Sequence, residues 1–457
     1  MKRWLVVLAG LAFAGCADID AAQKAQNPDA RRDGERTVPA ESLGLGSGTR
    51  LTLSQGIQIV LKNNPNIAVS RALVEHADAV LEEVTAGYLP QISFSADYRW
   101  EKYGGAGNGD HPGSKIGPNS GIIQTHAGTV GLSQLIYDFG RTDAARRQAY
   151  AQFSAAQTDL ASAENDAVFN FCQAFFNQLK QEELVRVGEE TVRQFEKHLE
   201  QVRGFVEVGT RQKYDLTKAQ VDLGNAQLTL VKARTALTVA KATLNNTLGL
   251  ASDPLYALEH PGHAGPWKMS FADAIEAARA YHPQLQSLIL RENAARAEID
   301  AAVADFYPDF TLSGAFDWGG SLTPVTWGSF LGPVLSWVIY SGGAKTGVLH
   351  AAVADLRLAY ANRALLEQSI FLDLRNAYAS LEDNQESLKI VSLTVKSAAE
   401  TLDLVTGRYQ VGKASSVEVT DAEVQLATAK AQEIEARYDY EISIAAIERS
   451  IGGSRKP

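Results

Sequence analysis

The residues that most often carry chemistry in proteins do not form a catalytic or metal-binding set in this sequence. His260 and His263 are separated by two residues in a Pro/Gly-rich segment without an obvious third ligand, so we interpret them as part of a structural loop. The glycine cluster at 104–109 lacks the context of a phosphate-binding loop. With only two cysteines, Cys16 and Cys172, a four-thiolate metal site and a disulfide framework are excluded. We therefore expect no enzyme, no metal and no cofactor.

Cys16 has a different chemistry, because it ends an N-terminal targeting segment. Two basic residues precede an apolar run from Trp4 to Ala14, which is too short to span a bilayer. The four residues that end at Cys16 resemble a bacterial lipobox, whose cysteine is lipidated after cleavage. We expect a lipoprotein signal peptide at 1–15 and a lipidated polar tether at 16–50. An ordinary cleaved signal with an incidental cysteine is the alternative.

The composition limits the class of protein. The net charge of −10 argues against a surface that binds nucleic acid, and a hydrophobic content of 45% is that of a folded chain. After the signal segment, no apolar run is long enough for a transmembrane helix. Proline is absent between Pro118 and Pro254 and again between Pro333 and Pro457, so both stretches can sustain very long helices.

The chain contains the same pattern twice. Prolines recur in pairs at one constant spacing, and turn glycines recur in pairs at a second, slightly shorter spacing: Pro65 with Pro283, Pro90 with Pro308, Gly209 with Gly412 and Gly249 with Gly452. We expect a first repeat at 51–251, a linker at 252–268, a second repeat at 269–452 and a short tail at 453–457. Each repeat has the order helix, strand, loop, strand, long helix, turn, long helix.

Strict alternation of apolar and polar residues predicts strands at about 91–103 and 309–318, with return strands at about 127–138 and 327–340. About ten residues is the length of a tilted membrane-spanning strand, and aromatic residues near the strand ends are typical of barrels in lipid. Four strands cannot close a barrel alone, so this interpretation requires oligomers, and three chains would supply twelve strands. A soluble sheet with one face on a core is the alternative.

Helical hairpins are predicted at 142–250 and 344–451, with first helices of about sixty residues. In the second helix of the first hairpin, leucine and alanine alternate at spacings of three and four, which is a coiled-coil seam: Leu216, Ala219, Leu223, Ala226, Leu230, Ala233, Leu237, Ala240 and Leu244. Val419, Ala422, Leu426 and Ala429 begin a matching seam. We therefore expect a mixed, mainly α fold, in which a helical coiled-coil barrel joins the strands; a plain two-helix coiled coil is the alternative.

At this point the duplicated pattern resembles the TolC family of outer-membrane channel proteins, and in particular its lipid-anchored efflux branch. The resemblance rests on Asn64-Pro65 and His282-Pro283, on the prolines that precede the strands, and on the two Val-Gly turns. It implies a homotrimer in the outer membrane of a Gram-negative bacterium, with a twelve-stranded barrel in lipid and a helical barrel in the periplasm. It also implies a periplasmic adaptor as a partner, which links the trimer to an inner-membrane pump.

The resemblance also implies roles for the two turns. The residues expected to contact the adaptor at the helix tips are Val208, Gly209, Thr210, Val411, Gly412 and Lys413, and the residues expected at a periplasmic gate are Asp215, Tyr409, Glu418 and Asp421. Tyr409 is also expected to be an apolar contact group at the tip. Ala414 stands where relatives often have arginine, and Lys218 occupies the position that matches Asp421. Alternatively, each acid is a solvated residue at a helix start, favoured by the helix dipole.

These expectations together predict a passive exit duct of a tripartite efflux system, which conducts small molecules to the exterior. A duct for type I protein secretion is the alternative within the same class. The alternative from another class is a lipid-anchored periplasmic coiled coil without a channel.

Overall fold

The computed structural model describes residues 49–102, 122–250, 254–262, 265–321 and 325–453, together with Ile19. The predicted signal peptide, Cys16, the glycine cluster at 104–109 and His263 lie outside the described residues. None of the helices within the described ranges is both long enough and apolar enough to cross a membrane.

Helices dominate the described residues. The eight α-helices are α1 (Leu53–Asn63), α2 (Pro65–Thr85), α3 (Arg141–Glu207), α4 (Lys213–Thr247), α5 (Phe271–Tyr281), α6 (Pro283–Ala304), α7 (Ala344–Gln410) and α8 (Ser416–Ile451). Each of the long helices α3 and α7 has 67 residues. They are somewhat longer than predicted, because both continue without a break to the turn that contains Gly209 or Gly412.

The strands of the described ranges are β1 (Arg50–Leu51), β2 (Gln91–Lys102), β3 (Ile122–Tyr137), β4 (Ala257–Leu258), β5 (Asp309–Ser321) and β6 (Thr326–Ser336). Strands occur at all four predicted places, with shifted ends. β3 begins at Ile122 rather than at 127, and β6 stops at Ser336 rather than at 340. The last residue of β6, Ser336, pairs with Asp309 at the start of β5, and the next residue, Trp337, donates its indole N–H to the carbonyl of Phe306 at 3.0 Å.

The chain divides into two compact units, and each contains segments of both predicted repeats. The hairpin unit comprises Met1–Val69, Ser162–His282 and Ile370–Pro457, and the strand unit comprises Ser70–Ala161 and Pro283–Ser369. The predicted linker at 252–268 contributes to the hairpin unit, where β4 pairs in parallel with β1.

The strand unit contains an antiparallel sheet in the order β2-β3-β5-β6. The described residues leave the predicted apolar face of this sheet uncovered: Ile92, Phe94, Tyr98 and Trp100 of β2 are all at least half exposed. The polar face carries cross-strand hydrogen bonds such as that from Thr129 Oγ1 to Asp317 Oδ1, at 2.6 Å.

The start of α3 is held to the sheet by polar contacts. Asp138 follows β3 and caps the helix, because its Oδ2 accepts from the backbone N–H of Thr142 at 2.7 Å and from the Thr142 hydroxyl at 2.5 Å. Arg141 donates to Asp309 at the start of β5, at 2.9 Å. These contacts fix the direction in which the long helix leaves the sheet.

In the hairpin unit, the predicted seam of α4 is confirmed. All nine of its residues are buried or partly buried, and the four predicted seam residues of α8 are buried as well. Phe195 and Val192 of α3 pack against Ala226 and Leu230 of α4. Cys172 is buried in α3, 1% exposed.

The far end of α4 is fastened to α1 by two asparagine side chains. Asn63 Nδ2 donates to the carbonyl of Leu248 at 2.7 Å, and Asn64 Nδ2 donates to that of Thr247 at 2.9 Å. Gly249 ends the helix with φ of +74°, where a Cβ atom would lie 2.5 Å from the carbonyl oxygen of Asn63. Only glycine therefore satisfies both the backbone conformation and the space at position 249.

We predict that Gly249→Ala destabilises the protein, because the new methyl group meets both a positive φ and a backbone oxygen. The expected loss is about 1–3 kcal/mol, measured as a lower midpoint of thermal unfolding by circular dichroism. Gly224→Ala is the matched control, since Gly224 lies inside α4 with open space around it. An unchanged midpoint for Gly249→Ala would contradict this account of the junction.

Candidate functional site

The two hairpin turns share one backbone geometry. In the first, Thr210 N–H donates to Phe205 O at 2.9 Å and Gly209 N–H to Val206 O at 3.0 Å. In the second, the corresponding bonds join Lys413 to Arg408 at 2.8 Å and Gly412 to Tyr409 at 3.0 Å. This is the Schellman arrangement, and it requires the positive φ that both glycines have, 78° and 75°. Both glycines therefore end their helices in the left-handed conformation.

The predicted gate acids lie at the starts of the returning helices. Glu418 forms a capping box with Ser415: the Ser415 backbone N–H donates to Glu418 Oε1 at 3.0 Å, and the Glu418 N–H donates to Ser415 Oγ at 3.2 Å. The bond from the Ser415 backbone lowers the pKa of the Glu418 carboxyl. Asp215 is in the first turn of α4, and Asp421 is exposed one turn into α8. Glu418 therefore has a structural task in addition to any role at a gate.

Tyr409 is a buried residue, so the expectation that it is an apolar contact group exposed at the tip is wrong. Its side chain is only 1% exposed. It lies in a cluster, here called the tip core, with residues from all four long helices and the second turn: Val202, Ala219, Ala414 and Val419, with Phe205, Leu216 and Val405 at the edge. The tips of the two hairpins of one chain are therefore packed together, and Tyr409 is at the centre of this contact.

Arg211 joins the first turn to the second. Its guanidinium donates to the carbonyl oxygen of Ala414 at 2.9 Å and lies over the Tyr409 ring, 5.1 Å from the centroid. Arg211 and Ala414 are each the second residue after the turn glycine. Position 414, where an arginine was expected from the resemblance, is alanine in the second turn, and an arginine occupies the equivalent position of the first turn.

The remaining predicted tip residues point away from this core. Val208 is 72% exposed and Val411 is 69% exposed, and Gly209, Thr210, Gly412 and Lys413 are also exposed. The structure therefore brings the predicted contact residues to the surface of the same two turns.

A polar cluster lies directly beneath the tip core. His198 on α3 is buried, and its Nε2 lies 3.0 Å from the hydroxyl of Ser416 on α8. Its ring centroid is 5.5 Å from that of Tyr409. On α4, Lys218 pairs with Asp222 at 3.1 Å. Lys218 occupies the position that matches Asp421 in the second repeat, and here it neutralises an acid of its own helix.

Glu423 on α8 completes this cluster. It is only 6% exposed, and its Oε2 makes no hydrogen bond to any described residue. Burial, reinforced by the negative charge of Asp222, raises the pKa of the Glu423 carboxyl to about 7. Burial lowers the pKa of His198. The residue types here are ordinary for a helix surface, so the sequence carries no signal that Glu423 is buried.

Further from the tip, α3 and α8 are joined by charged pairs. These are Glu190 with Lys430 at 2.9 Å, Glu183 with Arg437 at 3.0 Å, Lys180 with Asp439 at 2.8 Å and Asp166 with Arg449 at 2.6 Å. Tyr438 also donates to Glu183 at 2.9 Å and lies 3.3 Å from His260 Nδ1. His260 thus contacts a structural network.

The sequence matches the family model described as outer membrane efflux protein over residues 56–250 and 274–453. The chain belongs to this family. It is therefore an outer-membrane exit duct of an efflux system, as the sequence predicted, and the resemblance to TolC-type proteins is confirmed. The starts of the two matched segments have the same spacing as Pro65 and Pro283, and their ends have the same spacing as Gly209 and Gly412.

Individual relatives are distant but similar along most of their length. Outer membrane protein TolC of Vibrio cholerae is 24% identical over 419 residues, which cover 86% of this chain and 88% of the relative. A probable outer membrane lipoprotein, SilC of Salmonella typhimurium, is 22% identical and covers 88% and 86%. Among solved structures, the outer membrane channel CmeC of Campylobacter jejuni has a TM-score of 0.79 at 18% identity, covering 88% and 86% of the two chains.

We predict that the ring of Tyr409, and not its hydroxyl, holds the two tips together. The hydroxyl is buried and interacts with Ser416, but among the described residues it has no partner with good hydrogen-bond geometry, so Tyr409→Phe should keep most of the packing. Tyr409→Ala removes the ring from the tip core and should cost about 3 kcal/mol or more. Hydrogen exchange of the amides at 204–210 and 407–413 measures both. Equal loosening by the two variants would contradict this assignment.

Proposed function

We propose that this efflux duct is a homotrimer with a twelve-stranded barrel in the outer membrane, and that it opens at the paired hairpin tips. The tips meet a periplasmic adaptor, through which the duct is linked to an inner-membrane pump. The duct supplies no energy and performs no chemistry. The observation that carries the proposal is the uncovered apolar face of the β2-β3-β5-β6 sheet.

The sheet supports the barrel in two ways. Aromatic side chains such as Phe94, Trp100 and Trp327 are about 70% exposed, which would be costly in water and is favourable in lipid. Among the described strands, β2 and β6 each pair on one side only. Unpaired strand edges are not tolerated in lipid, so other copies must close the sheet, and three copies supply twelve strands.

The helices support the trimer independently. The exposed side of α4 carries Tyr214, Val221 and Leu228, which recur at heptad spacing and are each more than half exposed. Heptad spacing of apolar residues on a side opposite to the buried seam is suited to a second helical contact. A neighbouring copy is the partner that the proposal assigns to this side.

The internal two-fold repeat is also part of the proposal. Apart from Gly320, the described residues with positive φ form pairs that all have the same spacing along the chain: Phe139 with Gly342, Gly140 with Gly343, Gly209 with Gly412 and Gly249 with Gly452. Shared turn geometry at four equivalent places supports a duplicated unit. Three chains of two repeats would give a tube of nearly sixfold helical symmetry.

The gate is proposed to consist of Asp215, Tyr409, Glu418 and Asp421, with Arg211 added. Threefold symmetry would turn each acid into a ring of three carboxylates, which attracts cations. Tyr409 acts from within the tip core and not from the lumen. The residues proposed to contact the adaptor form the exposed ends of both tips: Val208, Gly209, Thr210, Val411, Gly412 and Lys413.

Lipidation of Cys16 remains part of the proposal, on the strength of the lipobox-like segment. The lipoprotein SilC is a relative over most of the chain, which supports it. A lipid on the tether would add to the attachment that the barrel provides.

Planar-bilayer recording of the purified full chain tests the duct. We expect conductance that prefers cations, and we expect Glu418→Gln with Asp421→Asn to weaken this preference. Glutamine is tolerated in a capping box, so the first change removes charge and keeps the start of α8. Glu435→Gln, an exposed change on the same helix, is the control. No conductance from any of these proteins would contradict the duct.

Arg211→Ala tests the gate. It removes a charge-assisted hydrogen bond and a cation–π contact, which together are worth about 2 kcal/mol, so the open state should gain roughly tenfold or more. The measurement is the open fraction in single-channel records. Arg234→Ala is the matched control, since Arg234 forms an exposed pair with Glu189 on the same hairpin. An open fraction equal to that of the wild type would remove Arg211 from the gate.

A further inference from the structure

Two acids beneath the tip core, the buried Glu423 and the partly buried Asp222, have no task in the duct as described so far. Glu423 on α8 and Asp222 on α4 lie on neighbouring helices of the hairpin unit, close enough for the Asp222 charge to act on Glu423. Asp222 has Lys218 as a partner at 3.1 Å, whereas Glu423 Oε2 has no hydrogen-bonding partner among the described residues. An ionised carboxylate in such a place is costly, and a neutral carboxyl is far less so.

Position makes this pair a suitable control point. Glu423 is two turns along α8 from Ser416, whose hydroxyl is bonded to His198, and His198 packs near Tyr409. A loss of packing between α8 and α4 at Glu423 is thereby transmitted to the centre of the tip core.

Protons can reach the pair from solution. Asp222 lines an open groove of about 610 Å³ between α3, α4 and α8, together with Phe195 and Thr420. Glu423 is itself almost fully buried, but it lies near enough to Asp222, which lines the groove, for the Asp222 charge to act on it. We therefore expect its protonation to follow the pH of the surrounding compartment.

We propose that Glu423 is a protonation-controlled latch: its neutral form keeps α8 packed against α4 beneath the tips, and its ionised form loosens that packing. The role in gating rests on the proposed opening of the duct at the tips. The other titratable groups that the structure places in this cluster are Asp222 and Lys218 on α4 and His198 on α3.

The direction of the effect follows from the environment. The pKa of Glu423 is about 7 in the packed state, against an ordinary value of 4.5 in water. Below pH 4.5 the carboxyl is neutral in both the packed and the loosened state, so the packed state keeps all of the stability that this group contributes. That stability is lost as the pH rises from 4.5 to about 7, because over this range the carboxyl ionises in the loosened state and not in the packed state. His198 acts in the opposite sense, because burial lowers its pKa and protonation opposes packing as the pH falls below its ordinary value of 6.5.

The two groups can be separated by a double comparison. Protection factors for the tip amides at 204–210 and 407–413 are measured by hydrogen exchange on the full chain at pH 6 and at pH 8. Glu423→Gln removes the pH-dependent contribution of the glutamate and keeps that of His198. We therefore expect the ratio of the variant's protection factors to those of the wild type to be about ten times larger at pH 8 than at pH 6. Glu435→Gln, the exposed control on α8, should follow the wild type at both values.

A second variant guards against a change of structure. Asp222→Asn leaves the burial of Glu423 and the charge of Lys218 in place, and it removes the second, smaller cause of the raised Glu423 pKa. The loss of protection should therefore be complete at a lower pH than in the wild type, and it should be smaller. If the ratio of protection factors between Glu423→Gln and the wild type is the same at pH 6 and at pH 8, the proposed latch is wrong. Bilayer conductance of the same proteins distinguishes the two proposals: no conductance at any pH contradicts the duct, whereas conductance with pH-independent tip protection contradicts only the latch.

Discussion

The hairpin unit depends on α3 being packed against two helices by two different means. Against α4 it uses apolar contact, in which Phe195 lies over Ala226 and Leu230. Against α8 it adds charged pairs at four levels, from Asp166 with Arg449 to Glu190 with Lys430, to the apolar packing of Val202 and Val419 in the tip core. Partly exposed ion pairs contribute little energy, about 0–1 kcal/mol each. Four of them spaced along two antiparallel helices align only in one axial register, so the charges fix the position of each tip while the seam supplies the stability.

The sequence predicted those features that depend on local periodicity. Alternation of apolar and polar residues located the strands, and the Leu/Ala seam from Leu216 to Leu244 located the buried side of α4. A period of two residues indicates one face of a strand, and spacings of three and four indicate one side of a helix. The turn glycines were equally visible, since few residues other than glycine adopt positive φ at a helix end. The strand ends were less accurate, because the end of β6 depends on its partner strand: Ser336 is the last residue of β6 and pairs with Asp309, the first residue of β5.

The parts of the site that the sequence did not predict all depend on contacts between distant residues. Tyr409 next to a turn suggests an exposed tip, and its burial depends on Val202 and Ala219 from the other hairpin. Glu423 in a helix rich in charged residues suggests a solvated position, and its burial depends on how α4 meets α8. For Arg211 one signal existed: aligning the two turns places it opposite Ala414.

This asymmetry between the turns explains how the two tips of one chain are joined. Ala414 is buried in the tip core, where a guanidinium would lose its water, whereas Arg211 reaches the same place from the first turn and remains partly exposed. Arginine at both positions would bring two cations to the single ring of Tyr409, and their repulsion would separate the tips. The contact made by Arg211 therefore depends on a small, uncharged residue at position 414. Because Arg211 bonds the carbonyl of Ala414 and covers Tyr409 at once, one hairpin cannot move at its tip without breaking both contacts with the other.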